Sequence, residues 1–504
     1  MKVLCILGHP RRDSFGGALF AAFVEGARAA GVEVRELVVA ELSFDPDVHA
    51  VSPEEQFFEP DVRRAQSLIA WADHLVFVYP TWWGAVPARL KGLLDRCLTP
   101  GFAFRHRDDG SWDKLLEGRT AQLLTTMDTP AWVHRLVYGS PGFRMLERAT
   151  LGYCGVRTVR RRIFTPVVGS DAARRERWLE RARREGRRLV EGALTPAQRR
   201  RDRLLAWLRA LRLQFYPMSF VAYLLGALTA GGGSAVLASG RFWIGYAALF
   251  LLEVATVFSN ERFDRESDAR NTNAGPFNGG SRVLVDGSLD GSTLLRAGAL
   301  ALLGYLAIAF WLVGASVSPV STLSWLAVLG VAAVGYTVPP LALSHRGLGE
   351  LDVAFTHSIG VMMVGHLLHG GALADPLPWL LSLPIGLAVL PAIILSALPD
   401  HDADRAARKR TLAVRFGKAG AIRLAMLCTV LAALAAAALP LTAAAREAMP
   451  AAIVPLATAH ATLLVVALRR RLREGRLDGR IDALMMLALG YGVWFGVLPL
   501  VALW

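Results

Sequence analysis

The chain has 504 residues, of which 53% are hydrophobic and only 19% charged, with a formal net charge of +14. Soluble domains carry about 25% charged residues, so this composition, with a mean hydropathy of +0.37, excludes a disordered chain, a collagen, a disulfide scaffold and a wholly soluble protein. Four cysteines (Cys5, Cys97, Cys154, Cys428) lie far apart without a CxxC pair, which argues against structural zinc and requires no disulfide.

The amino terminus, MKVLCILGHP, has an apolar run too short for a signal peptide. It predicts a buried strand over 3–7, closed by Gly8. A helix over 18–30 and a strand over 32–39 follow, then strands over 74–79, 121–126 and 159–164, separated by helical patterns at 61–71, 87–97 and 142–151. Strands alternating with helices predict a doubly wound parallel sheet with helices on both faces. A last helix is expected to start with Ser170 as N-cap and Asp171 in its first turn. Its Trp178, Ala182, Gly186 and Leu189 share one face, and the arginines between them form a solvated face that can also meet anionic lipid.

The segment 196–213 is basic (Pro196, Arg199 to Arg201, Arg203, Arg209, Arg212) and reads as a linker between a domain at 1–195 and another at 214–504. Beyond Pro217 come nine apolar stretches near the 20 residues needed to span a bilayer: 218–238, 241–259, 293–314, 321–340, 351–372, 377–398, 419–440, 449–468 and 482–503. Loops after the even-numbered stretches collect the basic residues: Arg262 to Arg282, Arg346, Arg405 to Lys418, and Arg469 to Arg480; the opposite loops hold little beyond Arg241 and Arg446. The positive-inside rule then puts these loops and the amino-terminal domain in the cytoplasm of a multi-pass cell-membrane protein. The same asymmetry accounts for much of the charge without nucleic acid.

Two acidic constellations stand at the inward ends of these stretches. In SNERFDRESDARN, Asn260, Asp264 and Asp268 follow i, i+4, i+8 and so share one helical face; in LPDHDADRAARKRTLAVRFG, Asp400 and Asp404 repeat the spacing with Asp402 between. Carboxylates gathered this way repel one another unless a cation neutralises them, and Mg²⁺ binds carboxylates together with substrate phosphates. Arg282, Lys409 and Arg410 are near in sequence and suit diphosphate oxygens. With GPFNGGSRVLVDG and YTVPPLALSHRGLGE, these motifs resemble the UbiA-type intramembrane aromatic prenyltransferases over roughly 213–504, and look most like the branch of 1,4-dihydroxy-2-naphthoate prenyltransferases. The resemblance implies an isoprenyl diphosphate donor, Mg²⁺ and an aromatic or quinone acceptor. It makes Asn260, Asp264, Asp268, Asp400 and Asp404 metal and diphosphate ligands, and Arg282, Lys409 and Arg410 phosphate contacts. Glu261 stands where many members have Asp, and Arg408 where many have Gly. Tyr336 fits a diphosphate contact, a cation-facing ring or a structural role; His357, His366 and His369 are expected to hydrogen-bond between helices or sit in loops rather than bind metal.

The first strand–helix turn, GHPRRDSFGGAL, has neither a GxGxxG fingerprint nor a Walker lysine. It still offers phosphate donors at a helix start through His9, Ser14, Phe15 and Gly16. After the third strand, YPTWWGAVPARLKG places Trp82, Trp83 and Gly84 at a strand's carboxyl end, suited to a planar ring. With GFAF at 101–104, these stretches resemble the flavodoxin-like NAD(P)H:quinone oxidoreductases over about 1–192. The resemblance implies FMN, with FAD as the alternative, and NAD(P)H as co-substrate. His9, Ser14, Phe15 and Gly16 would hold the phosphate, and Pro80, Thr81, Trp82, Trp83 and Gly84 would line the ring. The loop TTMDTPAW departs from the TTGG of many members, leaving Thr125 and Asp128 as the flavin contacts implied there. The expected whole is a flavodoxin-like α/β domain followed by an all-α polytopic membrane domain: a prenyltransferase fused to a quinone reductase, with a homodimer through the first domain. The alternatives are a prenyltransferase with a non-catalytic regulatory domain and a membrane-anchored quinone reductase.

Overall fold

The computed structural model describes the chain apart from residues 108, 109, 476, 478 and 480; Arg476 and Arg480, two of the basic loop residues, therefore lie outside the described residues. The chain forms two compact units, Met1–Arg199 and Arg200–Trp504. The division falls inside a helix, Pro196–Leu211, so the segment read as a linker is helical.

Among the described residues the first unit has seven strands: β1 (Lys2–Leu7), β2 (Glu33–Val38), β3 (His74–Pro80), β4 (Phe104–His106), β5 (Trp112–Lys114), β6 (Thr120–Thr126) and β7 (Arg157–Phe164). Five form one sheet in the order β2-β1-β3-β6-β7, all parallel. The period of two along a strand sorts its side chains between two cores. Leu4, Ile6, Leu75, Phe77 and Tyr79 face a layer containing Val62, Leu90 and Leu93. Val3, Cys5, Leu7, Val76 and Val78 face the other, with Phe20, Phe23, Ala182 and Leu189. Burial on both faces explains why β1 and β3 read as unbroken apolar runs. The short antiparallel pair β4–β5 lies outside the expected alternation. The last helix, Ala172–Arg187, is capped by Asp171, which accepts from the Arg174 amide, and not by Ser170.

In the second unit, seven helices among the described residues are long and apolar enough to cross a membrane, from Gly240–Phe263 to Asp482–Leu503. The other two expected stretches form shorter helices, Tyr216–Leu228 with 13 residues and Pro319–Gly335 with 17, so nine holds only as an approximate number of spans. Small residues bring these helices together: a side chain on Gly226 would strike the Met362 carbonyl, and one on Gly365 the Tyr223 carbonyl. Gly240–Phe263 runs without a break to Asp264, its C-cap. The helix Leu412–Ala438 is interrupted by Gly417, at φ 70° and ψ 164°.

Candidate active site

Helix Gly240–Phe263 carries the first acidic motif on its last turn and beyond. Its face of Leu249, Glu253, Thr256 and Asn260, its C-cap Asp264, and Asp268 on the following short helix Arg265–Arg270 line a cavity of about 450 Å³. Asp400 is the N-cap of the short helix His401–Ala406, and Asp400, Asp404 and Lys409 line the same cavity. The two motifs, more than 130 residues apart in the chain, therefore converge at one end of a largely apolar chamber.

The Lys409 ammonium sits between them, 2.7 Å from Asp264 Oδ2 and 3.8 Å from Asp404 Oδ1. Burial alone would lower its pKa, but Asp264 and Asp404 hold it above the usual lysine value. Burial, then the charges of Asp264 and Glu261, push the Asp268 carboxyl up to about 8. Burial pushes Asp404 up to about 7 and raises Asp400 as well. Acids held so far above their ordinary range gain most from a divalent cation. Asn260 Oδ1 and Asp264 Oδ1 are buried without a hydrogen-bond partner, and such hard oxygen donors fit Mg²⁺. These acids are not already clustered at ligand spacing. Among the described residues, the one group of three acidic, histidine or cysteine ligands within 4.8 Å is Asp45, Asp47 and His49, all exposed in the first unit.

The loop GPFNGGS, part of the motif set but without residue roles assigned from sequence, supports the second motif together with Asn271. Asn271 and Asn278 both donate to Asp400 Oδ1, Asn278 at 2.9 Å, and the Gly279 amide donates to Oδ2 at 3.2 Å. Glu261 does not face the cavity: it accepts from the Ser281 amide at 2.6 Å and hydroxyl at 2.7 Å, tying the same loop to the first motif. Gly280 has no room for a side chain, because a Cβ would collide with the Asp268 carboxylate. The signal was the Asn and Gly content of GPFNGGS, which suits a backbone cradle.

The remaining expected contacts divide. Tyr336 lines the cavity. Arg282 directs its guanidinium to the Asp268 and Asn271 carbonyls, 3.1 and 3.3 Å away, and so braces the loop. Arg410 is exposed and outside the cavity lining. Arg408 has φ +59°, the left-handed region where glycine is unstrained. The histidines make local or interhelical hydrogen bonds: His366 to Asp375 (2.7 Å) and Thr229 (2.9 Å), His369 to the Gly365 carbonyl (2.9 Å), His357 to the Val353 carbonyl (3.1 Å).

In the first unit, the carboxyl ends of β1, β3 and β6 carry the expected ring and phosphate residues. With this strand order the chain reverses between β1 and β3, where a crevice forms. Ser14 caps the helix Phe15–Ala29 through the Gly17 amide, leaving the Phe15 and Gly16 amides open to an anion. His9 Nδ1 accepts from the Arg11 amide at 2.9 Å, and its ring meets Trp82 edge-on at 5.8 Å. Pro80 ends β3. The Thr81 and Thr125 hydroxyls pair at 2.7 Å. Trp82 and Ala85 exchange backbone hydrogen bonds, closing a tight turn with Trp83 at φ +49° and Gly84 at φ +75°. That turn holds the Trp83 side chain fully in solvent. Asp128 is used otherwise: it accepts from the Val167 and Val168 amides at 3.0 and 2.6 Å and fixes the loop after β7.

An acid-lined chamber among apolar helices and a parallel sheet with an open anion turn together define a membrane prenyltransferase fused to a flavodoxin-like oxidoreductase. Residues 1–186 match the flavodoxin-like fold. Residues 219–501, more than half the chain, match the UbiA prenyltransferase family, and the chain belongs to that family. It is 31% identical over 201 residues to a lycopene elongase/hydratase of Corynebacterium glutamicum, covering 40% of this chain and 66% of that protein. It is 28% identical over 200 residues to the ribosyldihydronicotinamide dehydrogenase (quinone) of Pongo abelii, covering 34% of this chain and 86% of the relative. The solved NAD(P)H:quinone oxidoreductase of Methanothermobacter marburgensis is 28% identical, covers 38% of this chain and 98% of its own, and aligns with a TM-score of 0.33.

Proposed function

We propose that the membrane unit transfers an isoprenyl group from an allylic diphosphate to an aromatic or quinol acceptor with Mg²⁺, and that the first unit reduces the quinone form of acceptor or product with FMN and NAD(P)H. The observation that supports it most is the convergence of two carboxylate motifs and one buried ammonium at the end of an apolar chamber. Asn260, Asp264, Asp268, Asp400 and Asp404 would hold the metal. When bound, Mg²⁺ neutralises the diphosphate and stabilises it as it leaves. Lys409 adds a fixed positive charge beside the departing oxygens. The apolar walls keep water from the allylic cation, so the acceptor carbon forms the new bond and releases a proton.

In the first unit, Ser14 and the Phe15 and Gly16 amides would hold the FMN phosphate, with Pro80 to Gly84 and Thr125 along the ring. When bound, FMN supplies hydride chemistry between NAD(P)H and quinone. A quinone is electron-poor and a weak partner for an allylic cation, whereas its hydroquinone is electron-rich, which gives the fusion a chemical reason. Basic loops favour a cell-membrane location with the first unit in the cytoplasm. A homodimer would cover the exposed Trp132, Leu136 and Tyr138 of the first unit.

Asp264→Ala and Asp400→Ala should each abolish Mg²⁺-dependent transfer and leave NAD(P)H oxidation by quinone intact; near wild-type transfer in either would reject the site. Transfer to oxidised quinone should require NAD(P)H, and supplying hydroquinone should remove that requirement. Equal transfer from verified quinone with and without NAD(P)H would reject acceptor reduction. The name of the Corynebacterium relative favours a second reading, a polyene acceptor. Parallel assays with a hydroquinone and a polyene decide between them.

A further inference from the structure

The chamber has a second polar place, away from its carboxylate end. Counting back along the cavity-lining face of Gly240–Phe263, Glu253 lies seven residues before Asn260, about 10 Å deeper at the α-helical rise. An ionisable side chain inside a membrane-spanning helix is costly and marks function more often than packing. Glu253 Oε2 is buried and has no hydrogen-bond partner. Ser219 stands beside it, but the Ser219 hydroxyl makes no hydrogen bond of ordinary geometry and is also buried. Tyr216 lines the same cavity, with its ring against Phe250 at 5.1 Å and its hydroxyl buried and unpaired.

The contrast with other buried tyrosines of this unit is sharp. Tyr223, Tyr305 and Tyr491 each donate to a backbone carbonyl, at 2.9, 2.7 and 2.9 Å. The fold thus pairs these three tyrosine hydroxyls where it uses the rings for packing. At Tyr216 and Glu253 it leaves two polar groups of the cavity lining, from two helices, unpaired, with the Ser219 hydroxyl next to Glu253 and outside that lining. Buried polar groups in such an arrangement call for a partner from the ligand.

We propose that Tyr216 and Glu253, the latter supported by Ser219, form a subsite that binds an oxygen substituent of the acceptor, the hydroxyl of a phenol or hydroquinone. This rests on the proposed prenyl transfer and narrows its acceptor to an oxygenated ring, because a polyene hydrocarbon offers these groups nothing. An acceptor whose carbon meets the donor's first carbon near Asn260 points its far oxygen toward Glu253. Glu253 and Tyr216 are positioning residues here, setting which acceptor enters and how its ring is turned.

The test uses the full chain in detergent without oxygen, with geranyl diphosphate as donor and 1,4-naphthohydroquinone or its dimethyl ether as acceptor probe. The readouts are KM for each substrate and the direct affinity for the hydroquinone. The first unit is common to every protein compared, so differences report the chamber. Tyr216→Phe and Glu253→Leu should each raise the hydroquinone KM and dissociation constant by roughly tenfold, the order of one lost hydrogen bond. The donor KM should stay unchanged. Glu253→Gln, nearly isosteric, should keep most of the affinity and controls for folding. Wild type should favour the hydroquinone over the dimethyl ether, and Glu253→Leu should lose that preference. Equal affinity in wild type and all three variants would overturn the subsite and leave prenyl transfer standing. Affinity differences without any transfer to a quinol would instead overturn the proposed reaction and leave the subsite.

Discussion

Lys409 gives the most direct test of how the chamber handles charge. Lys409→Met keeps most of the stem and removes the ammonium. Breaking a buried ion pair typically costs about 3–5 kcal/mol, because the partner charge is left without compensation. Here the partners are Asp264 at 2.7 Å and Asp404 at 3.8 Å, with every side chain in the pair contacts no more than 10% exposed. Part of the loss is recovered by proton uptake, since Asp268 is already pushed up to about 8 and Asp404 to about 7. The cost should therefore be about 3 kcal/mol near pH 8 and smaller near pH 6, where these acids are protonated. Thermal unfolding in detergent with EDTA measures it. Mg²⁺ should then stabilise the variant more than wild type, because a cation replaces the missing charge; at a hundred times its dissociation constant the gain is about 2.7 kcal/mol. Transfer should fall by about 10²–10³-fold, the usual cost of one electrostatic stabiliser. A variant that melts with wild type in EDTA at pH 8 would refute the view of Lys409 as the internal counterion of both motifs.

Trp83→Ala should weaken FMN binding by about 1 kcal/mol and leave the melting temperature of the flavin-free protein unchanged, because the ring is fully exposed; flavin fluorescence titration measures the first effect. Arg408→Gly should stabilise the protein by about 1 kcal/mol at most, relief of left-handed strain less the entropy of glycine, as read by thermal unfolding. Burial lowers the His74 pKa to about 4, and its Nδ1 is 2.7 Å from the Thr120 hydroxyl. The unfolded chain binds that proton first as pH falls, so stability present above pH 6.5 is lost between 6.5 and 4, on the order of 3 kcal/mol in full. Tryptophan fluorescence of the first unit should show that acid limb, and His74→Gln should flatten it.

The strands buried on both faces were legible because β1 and β3 are continuous apolar runs, which needed no partner to be recognised. The pair β4–β5 was not, since strands of three residues carry no period. The first acidic motif was legible because one helix face fixes Asn260, Asp264 and Asp268 by spacing alone. Asn271 and Asn278 were not, because their role arises from a loop folding back on Asp400, a contact separated by more than 120 residues. At Arg282 and Arg410 sequence shows only that a guanidinium is near, and the fold adds that Arg282 meets carbonyls and Arg410 meets solvent. Tyr216–Leu228 and Pro319–Gly335 read as full spans because their flanking loops are apolar too, so composition continued where the helix stopped.

The two banks of carboxylates are mounted differently. Asn260 and Asp264 of the first end an unbroken helix of 24 residues, with Asp268 on the six-residue helix Arg265–Arg270 that follows, so most of that bank is tied to the wall of the chamber. The second sits on a six-residue helix, and the span that follows is uncoupled from it at Gly417, whose backbone leaves the helical region. With a cation bound, this mounting would let the second bank adjust while the long helix that carries Glu253 keeps its place. Grip on the leaving group and alignment of the acceptor would then be separate mechanical tasks, and a substitution that stiffens Gly417 would slow the first without altering the second.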